Sequence, residues 1–490
     1  MGLKQLAKET GIYTFSSGIA SLISFLLVPV FTRLLSASEY GLVATAASIQ
    51  GVLLVLILLG LHSAVGREYF SGDSPSQFSR YLATTMNIVL LWGGLLFGML
   101  LLVPQDIIYA VLMVDRWVVI AACIMAFAGA INLFRMTLWQ MAQKPFPYGL
   151  VTVLNVLVAG ILGIVAVLAL HMGAAGRIWG MAIASAGIAL VILPGMWNRF
   201  RLSFVIDKTC ARKAFSFGLP LVPHDLSNWV MSLADRILLG RLANLAVTGI
   251  YSVGVAFCQI LSLVVDGFGR SWVPFVYAKL AENAPEAKRE VVQIGKFFVL
   301  FVSLIALGIS VFSYEIVRLL LRKDFYESAG IIPLVNLGFV ANSIYRVFVI
   351  PLFYSKNTAY LLLMSVTGAV LNVTLNFLFI PRFLAIGAAW AALGATIVRM
   401  VLTYFYSQKK IYLPWGVRFF SPLFFSAIAT LYIYLTPEIA FGIRLLVFLL
   451  FLGSMLSPVC LSNEERRLLC KFIALGYRKS SRRIGTAFKR

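Results

Sequence analysis

Charge is scarce in this chain. Asp, Glu, Lys and Arg make up 12% of 490 residues, against about 25% in a soluble globular protein, so a water-soluble fold is excluded. Acid is scarcer still, with 19 Asp and Glu facing 41 Lys and Arg. Only five cysteines occur, Cys123, Cys210, Cys258, Cys460 and Cys470. Their spacing gives neither a disulfide framework nor a CxxC metal site, and Cys123 and Cys258 sit inside apolar runs as packing residues. The three histidines, His62, His171 and His224, are scattered and make no ligand set. Gly-x-x-x-x-Gly-Lys-[Ser/Thr], His-Glu-x-x-His and Gly-x-Ser-x-Gly are all absent. No ATP-binding loop, zinc-protease helix or nucleophile elbow is therefore expected, and no cofactor, metal or catalytic residue is assigned.

What the chain has is hydrocarbon. Hydrophobic residues make up 61% of it and the mean hydropathy is +0.93. A window of about 20 residues, the length needed to cross a bilayer, gives spans near 11–31, 41–61, 81–103, 116–135, 148–170 and 177–197. After a basic loop they resume near 214–235, 249–270, 294–314, 331–354, 361–380, 385–407, 418–435 and 441–461. The expectation is an all-α polytopic membrane protein with about fourteen transmembrane helices. Met1–Glu9 precedes the first span without a small-residue cleavage site, and we read it as retained.

Basic loops stay cytoplasmic. Placing the N-terminus inside puts most of the lysines and arginines on that side, which predicts both termini in the cytoplasm and an even number of spans. The net charge of +22 is then topology and not a nucleic-acid footprint. The tail, from Arg466 to Arg490, is basic and suits anionic headgroups or a topology anchor.

An internal repeat organises the spans. Phe15-Ser-Ser-Gly18 recurs as Phe215-Ser-Phe-Gly218, Arg33 matches Arg236, and Gly66-Arg67 matches Gly269-Arg270. Phe134-Arg135 answers Tyr345-Arg346, Lys144 with Tyr148 answers Lys356 with Tyr360, and Gly176-x-x-Trp179 answers Gly387-x-x-Trp390. These pairs are collinear. An even number of spans per unit gives two parallel six-helix lobes related by a pseudo-twofold axis along the membrane normal, with a cavity between them, an alternating-access design. The boundaries predicted are 1–200 and 201–413 for the lobes, 414–461 for two additional spans and 462–490 for the basic tail.

Ionisable residues inside spans cost about 2.5 to 3.5 kcal/mol each and mark function. The hairpin from Phe215 to Pro274 concentrates them. Its first helix carries Pro220, Pro223, His224 and Asp225 and is expected to end at Asp235-Arg236; its second runs from about Gly249 to Gly269-Arg270. Arg67, Arg135, Arg270, Arg346 and Arg399 lie in or beside spans, with Arg33 and Arg236 at the opposite face. Arginine presents a rigid fork that suits phosphate oxygens, so these seven are candidate anion-binding residues. Snorkelling, or pairing with Glu68, Asp235 or Asp266, is the alternative. His224 and Asp225 are a candidate coupling or gating pair, with Asp235 beside them, against the alternative of a polar kink.

Gly11-Ile-Tyr-Thr-Phe-Ser-Ser-Gly18 to Pro29, Thr32-Arg-Leu-Leu-Ser36 and Glu39-Tyr-Gly41 resemble the opening of Wzx-type polysaccharide and O-antigen flippases. These belong to the multidrug/oligosaccharidyl-lipid/polysaccharide exporter superfamily. Leu219-Pro-Leu-Val-Pro-His224, Asp235-Arg236, Gly249-Ile-Tyr-Ser252 and Trp272-Val-Pro-Phe275 are similar to its second-half signature. The resemblance implies two six-helix lobes around a central cavity and a polyprenyl-pyrophosphate-linked oligosaccharide as cargo, a repeat unit of lipopolysaccharide or exopolysaccharide. It further implies a bacterial inner membrane, an H+ or Na+ gradient as energy source, and the polysaccharide polymerase machinery and membrane lipids as partners.

Three alternatives stand beside it. A lipid II flippase shares fold and carrier. A drug exporter of the same superfamily carries organic cations and is expected to place carboxylates in its cavity, where this chain places arginines. A membrane-bound glycan polymerase or ligase generally has one long periplasmic loop, and no long polar loop interrupts this chain.

Overall fold

The computed structural model describes the backbone of residues 3–71, 74–200, 203–282, 284–355, 358–436, 441–455 and 457, with side chains from Ile12 onwards except those of Arg270, Thr358, Ala359 and Met455. The basic tail, Cys460 and Cys470 included, lies outside the described residues. Among the described residues every regular element is helical. In chain order these are α1 (Leu3–Leu34), α2 (Ala37–Leu58), α3 (Leu61–Glu68), α4 (Pro75–Leu102), α5 (Gln105–Leu112), α6 (Arg116–Met141), α7 (Pro145–Leu168), α8 (Gly173–Phe200) and α9 (Lys208–Gly218). The second half holds α10 (Val222–Trp229), α11 (Asp235–Leu242), α12 (Leu245–Glu282), α13 (Pro285–Val311), α14 (Ser313–Leu320), α15 (Ser328–Tyr354), α16 (Thr358–Lys410), α17 (Ser421–Leu435) and α18 (Phe441–Met455).

Ten of the described helices are long and apolar enough to cross a membrane. The last of them, α16, is 53 residues long and is broken at Leu384 (φ 52°, ψ −130°), three residues after Pro381. It therefore supplies two of the expected spans. The broken run from α9 to α11 occupies the seventh expected segment, and the shorter apolar helices α17 and α18 occupy the last two. Lipid-facing flanks are correspondingly bare and apolar: Leu102, Leu190 and Val191 are 83%, 70% and 80% exposed.

Local chemistry sets the boundaries. Ser36 opens α2 with a capping box, its hydroxyl accepting from the Glu39 amide while the Glu39 carboxylate accepts from the Ser36 amide. Ser74 and Gln77 do the same for α4, with Pro75 in the first turn. The second Glu39 oxygen reaches the Ala174 amide at 3.3 Å, tying the start of α2 to the α7–α8 turn. α2 ends where Leu59 and Gly60 both turn left-handed (φ 47° and 71°). Only the glycine takes that conformation without steric cost.

Two spans depart from the sequence expectation. The first helix of the 215–274 hairpin does not end at Asp235-Arg236 but runs on through α11 to Leu242. That charged pair is not at an interface: Asp235 is 2% and Arg236 7% exposed, inside the bundle. Pro220 and Pro223 withdraw two backbone donors. The chain answers with a 3₁₀ turn at Leu219–Leu221, and a π turn follows at Val230–Ala234, just before Asp235. Likewise α12 does not close on Gly269-Arg270 but continues to Glu282, with Pro274 inside it. An apolar window measures the hydrocarbon crossing and not the helix, which projects beyond it.

Buried side chains gather mainly in two clusters. One joins α2, α4, α6 and α8 around Ile57, Leu82, Met86 and Phe134. The other joins α12, α13, α15 and α16 around Leu261, Trp272, Val299 and Phe348. A smaller cluster spans both halves, packing Val28 and Ala37 against Val253, Phe257 and Phe325. The repeat glycines Gly176 and Gly387 do the same work in each half. A Cβ on Gly176 would press on Ala166, and one on Gly387 would overlap the Phe379 carbonyl, each across a tight helical hairpin. His171 and Leu384, both at φ 52°, turn those hairpins.

Candidate functional site

The break in the seventh span opens a cavity. It has a volume of about 970 Å³, and the residues lining it run from His224 to Arg399, all in the second half of the chain. α10 contributes His224 and Asn228; the π turn and α11 contribute Ser232, Asp235 and Arg236. α12 adds Tyr251, Gln259 and Asp266, α15 adds Asn342, Tyr345 and Arg346, and α16 adds Thr396 and Arg399. Apolar walls of Phe268, Trp272, Phe339 and Leu393 complete it. An apolar enclosure with a few convergent polar groups is the usual form of a binding site.

Three of the seven candidate arginines line this cavity. Arg399 is 7% exposed. Its Nη2 donates to Asn342 Oδ1 at 2.9 Å and its guanidinium lies 4.1 Å over the Tyr345 ring. Its Nε is buried without a partner. Neutral groups hold it in place, and no carboxylate among the described residues pairs with it. Arg346 bridges to Asp266 at 2.9 Å. Both side chains are almost half exposed to the cavity, so this pair is screened and exchangeable. Arg236 donates from Nη1 to the Ser232 carbonyl, inside the π turn, at 2.7 Å.

Three others stand elsewhere. Arg33 is exposed at the end of α1. Arg67 is exposed and lies 4.9 Å over Phe217. Arg135 lies 4.7 Å over Trp139 on α6, away from this cavity. The side chain of Arg270, although its backbone is within α12, lies outside the described residues. Asp266, the acid nearest Arg270 in sequence, pairs with Arg346.

Asp235 anchors a polar group that sequence reasoning found only in part. Tyr251 donates to its Oδ2 at 2.8 Å and Asn376 Nδ2 to its Oδ1 at 2.8 Å. Asn376 also donates to the Asn372 carbonyl at 2.9 Å. Asn372 and Asn376 are fully buried, and Asn376 Oδ1 has no donor. A buried carboxylate beside an unclaimed amide oxygen is a donor set for a small hard cation. The sequence carried a signal for the two asparagines: they stand four apart, on one face of an otherwise apolar run.

His224 and Asp225, adjacent in sequence, each have further neighbours of their own. Adjacent residues leave a helix in different directions. His224 contacts Asn228 through Nε2 at 3.1 Å and Ser365 through Nδ1 at 3.2 Å. Asp225 lies outside the cavity lining and within electrostatic reach of His62 from α3 as well as of His224. Among the described residues no cluster of three His, Cys, Asp or Glu is found. Cys123, Cys210 and Cys258 are free thiols, Cys123 and Cys258 buried.

The comparisons with known proteins agree with this architecture. The family model described as polysaccharide biosynthesis protein matches residues 6–279. An uncharacterized membrane protein of Haemophilus influenzae is 23% identical over 287 residues, covering 58% of this chain and 68% of that protein. Lipid II flippase MurJ, in an inward closed conformation, is similar in structure with a TM-score of 0.71 at 16% identity, over 90% of this chain and 96% of that one. A multidrug resistance MATE family transporter of the MOP superfamily, inward-facing, gives 0.58 at 15% identity, over 84% and 94%. At these identities the structural likeness concerns the fold, that of a polytopic membrane transporter.

Proposed function

Given that the chain belongs to the polysaccharide biosynthesis protein family, we propose that it is a flippase. Its cargo is a polyprenyl-pyrophosphate-linked oligosaccharide, carried across the bacterial inner membrane by alternating access with both termini cytoplasmic. The supporting observation is the cationic cavity. Arg399 has no carboxylate partner among the described residues, Arg346 holds one that is exposed and replaceable, and Arg236, next to the buried Asp235 in sequence, lines the same cavity. A pyrophosphate entering the cavity meets guanidinium forks in an apolar enclosure, where charge-assisted bonds are strong. It can displace Asp266 from Arg346 without leaving a buried charge unpaired, since Asp266 is itself 49% exposed.

We further read the lobes as 1–200 and 201–413, with 414–461 as an added pair of helices. Energy enters at Asp235. A cation, H+ or Na+, bound by Asp235, Asn376 and Asn372 on α11 and α16 would tighten those helices, and the lining residues Arg236 and Arg399 stand on the same two helices. Occupancy of the cation group and shape of the anion group would then change together.

The arginines also weigh against a drug exporter, because an organic cation would meet three guanidinium groups. The test is depletion of the protein in its own host, followed by recovery of lipid-linked glycans from each leaflet. Accumulation of a polyprenyl-pyrophosphate oligosaccharide on the cytoplasmic leaflet supports the reading. Unchanged glycan lipids with altered resistance to organic cations would overturn it.

A further inference from the structure

A second hollow lies in the first half, far from the arginine cavity in sequence. It occupies about 440 Å³ between α4, α6 and α8 and is lined only by apolar residues, among them Gly94, Phe97, Ile124, Phe127, Ile131 and Leu193. It exists because its walls carry small side chains at the contact: Ala128, Ala186 and Ala189 face it, and a Cβ built on Gly94 would meet nothing within 4 Å. Its rim is lipid-facing, with Leu91 65% and Leu95 51% exposed on α4 and Leu190 and Val191 exposed on α8. Hydrocarbon can therefore enter from the bilayer without crossing any polar barrier.

Past one end of the hollow the helices turn basic. The α6 residues that line it, Ile124, Phe127, Ala128 and Ile131, recur at helical spacing, and the next position on that face is Arg135. Arg135 has no carboxylate partner among the described residues; its charged neighbour is another cation, Arg199, at the end of α8 six residues past Leu193. Two guanidinium groups repelling each other beside hydrocarbon favour an anion between them. A basic pair between transmembrane helices, continuous with an apolar groove, matches one ligand in both its parts.

We propose that this groove binds an anionic membrane phospholipid, with one acyl chain lying between α4, α6 and α8 and its phosphate between Arg135 and Arg199. The site is separate from the arginine cavity and its occupant is not the cargo. The bound lipid fills a void that would otherwise loosen the packing of three helices of the first lobe.

The test uses full-length protein in nanodiscs of equal phosphatidylglycerol and phosphatidylcholine, each in turn carrying a diazirine in the acyl tail. Labelled peptides are mapped after irradiation. The expected result is labelling of residues 123–131 and 186–193, with phosphatidylglycerol preferred roughly thirtyfold, the size expected for two basic side chains at an anionic headgroup. Arg135→Gln with Arg199→Gln should abolish the preference while keeping tail labelling at those peptides. Gly94→Leu, which grows into open space, should suppress labelling from both lipids without changing the melting temperature by more than a few degrees. Equal labelling by the two lipids in the wild-type protein, or a preference that survives the double substitution, overturns the proposal. So does displacement of phosphatidylglycerol from these peptides by equimolar undecaprenyl phosphate, which would make the occupant the glycan carrier.

Discussion

Gly41 and Gly249 meet where α2 crosses α12, and each offers its missing side chain to the other's helix. A Cβ on Gly41 would overlap the carbonyl of Leu245, four residues before Gly249; a Cβ on Gly249 would overlap the carbonyl of Ala37, four residues before Gly41. The contact is reciprocal, as expected where two equivalent helices of a repeat cross on their own pseudo-twofold axis. Backbone touches backbone here, so the atoms in the way cannot rotate aside.

Gly41→Ala and Gly249→Ala should each force the two helices apart. Overpacking of this kind costs about 1 to 3 kcal/mol, read as a lower melting temperature in detergent. Gly267→Ala on the same α12 is the control: nothing lies within 4 Å of its Cβ, and removing a helical glycine gains up to about 1 kcal/mol. A melting temperature unchanged by Gly41→Ala would mean that the crossing is not this close.

Between the two halves, Asp207 caps α9. Its Oδ1 accepts from the Thr209 amide at 2.8 Å and the Cys210 amide at 3.0 Å, and Arg80 stands 3.7 Å from Oδ2. The backbone bond from Cys210, foremost, holds the carboxyl below its ordinary value. A depressed folded value means that the cap stabilises the loop above the unfolded carboxylate range and loses that contribution as the pH falls through the folded value. Asp207→Ala should therefore lower the melting temperature at neutral pH and have progressively less effect below about pH 4. Asp207→Asn caps equally well and should keep stability while removing that pH dependence. Equal effects of Ala and Asn would show that charge and not capping is at work.

The spans and the repeat were legible in the sequence because both rest on apolar periodicity and on glycines that packing makes irreplaceable, such as Gly176 and Gly387. The arginine cavity was legible in part, since Arg346 and Arg399 stand where a lipid-facing helix would carry Leu. Partner choice was not. Nothing in the order of residues says that Asp266 turns to Arg346, or that Asp225 comes within electrostatic reach of His62 on another helix. Asp235-Arg236 looked like a helix end because charged pairs usually sit at the interface; the helix instead runs on past a π turn at Val230–Ala234 with the pair buried in the bundle. Asn372 and Asn376 are neutral and therefore silent in a search for charge, although burial makes them as informative as an acid.

Replacing Arg399 separates anion recognition from snorkelling. Arg399→Ala should remove a charge-assisted contact of about 1.5 to 3 kcal/mol, a loss of roughly tenfold to a hundredfold in glycan export at matched protein levels. Arg399→Lys keeps the charge but loses the fork and the stacking on Tyr345, so export should fall between the two. Arg346→Ala should be milder than Arg399→Ala, because it frees only the exposed Asp266. A lysine at 399 that exports at the wild-type rate would mean that the side chain serves only as a positive charge.

Asp235 carries the last prediction, because it links the two halves of the proposed mechanism. Asp235→Asn removes the carboxylate from a group that otherwise keeps Tyr251, Asn372 and Asn376. Its shape is nearly unchanged and the cavity arginines are untouched. Anion binding should therefore survive, measured as protection of the purified protein against heat by a soluble polyprenyl pyrophosphate analogue. Coupling should not: export driven by an imposed Na+ or H+ gradient in vesicles should fall to the rate seen without the gradient. Asn376→Ala should weaken the same dependence less, since it removes one donor to Asp235 and an amide oxygen but leaves the charge. If Asp235→Asn responds to the gradient as the wild-type protein does, the ion is bound elsewhere and this carboxylate serves only to pair with Arg236 in the fold. Loss of analogue protection together with coupling would instead place Asp235 in the anion site itself, as the residue that holds Arg236 in position.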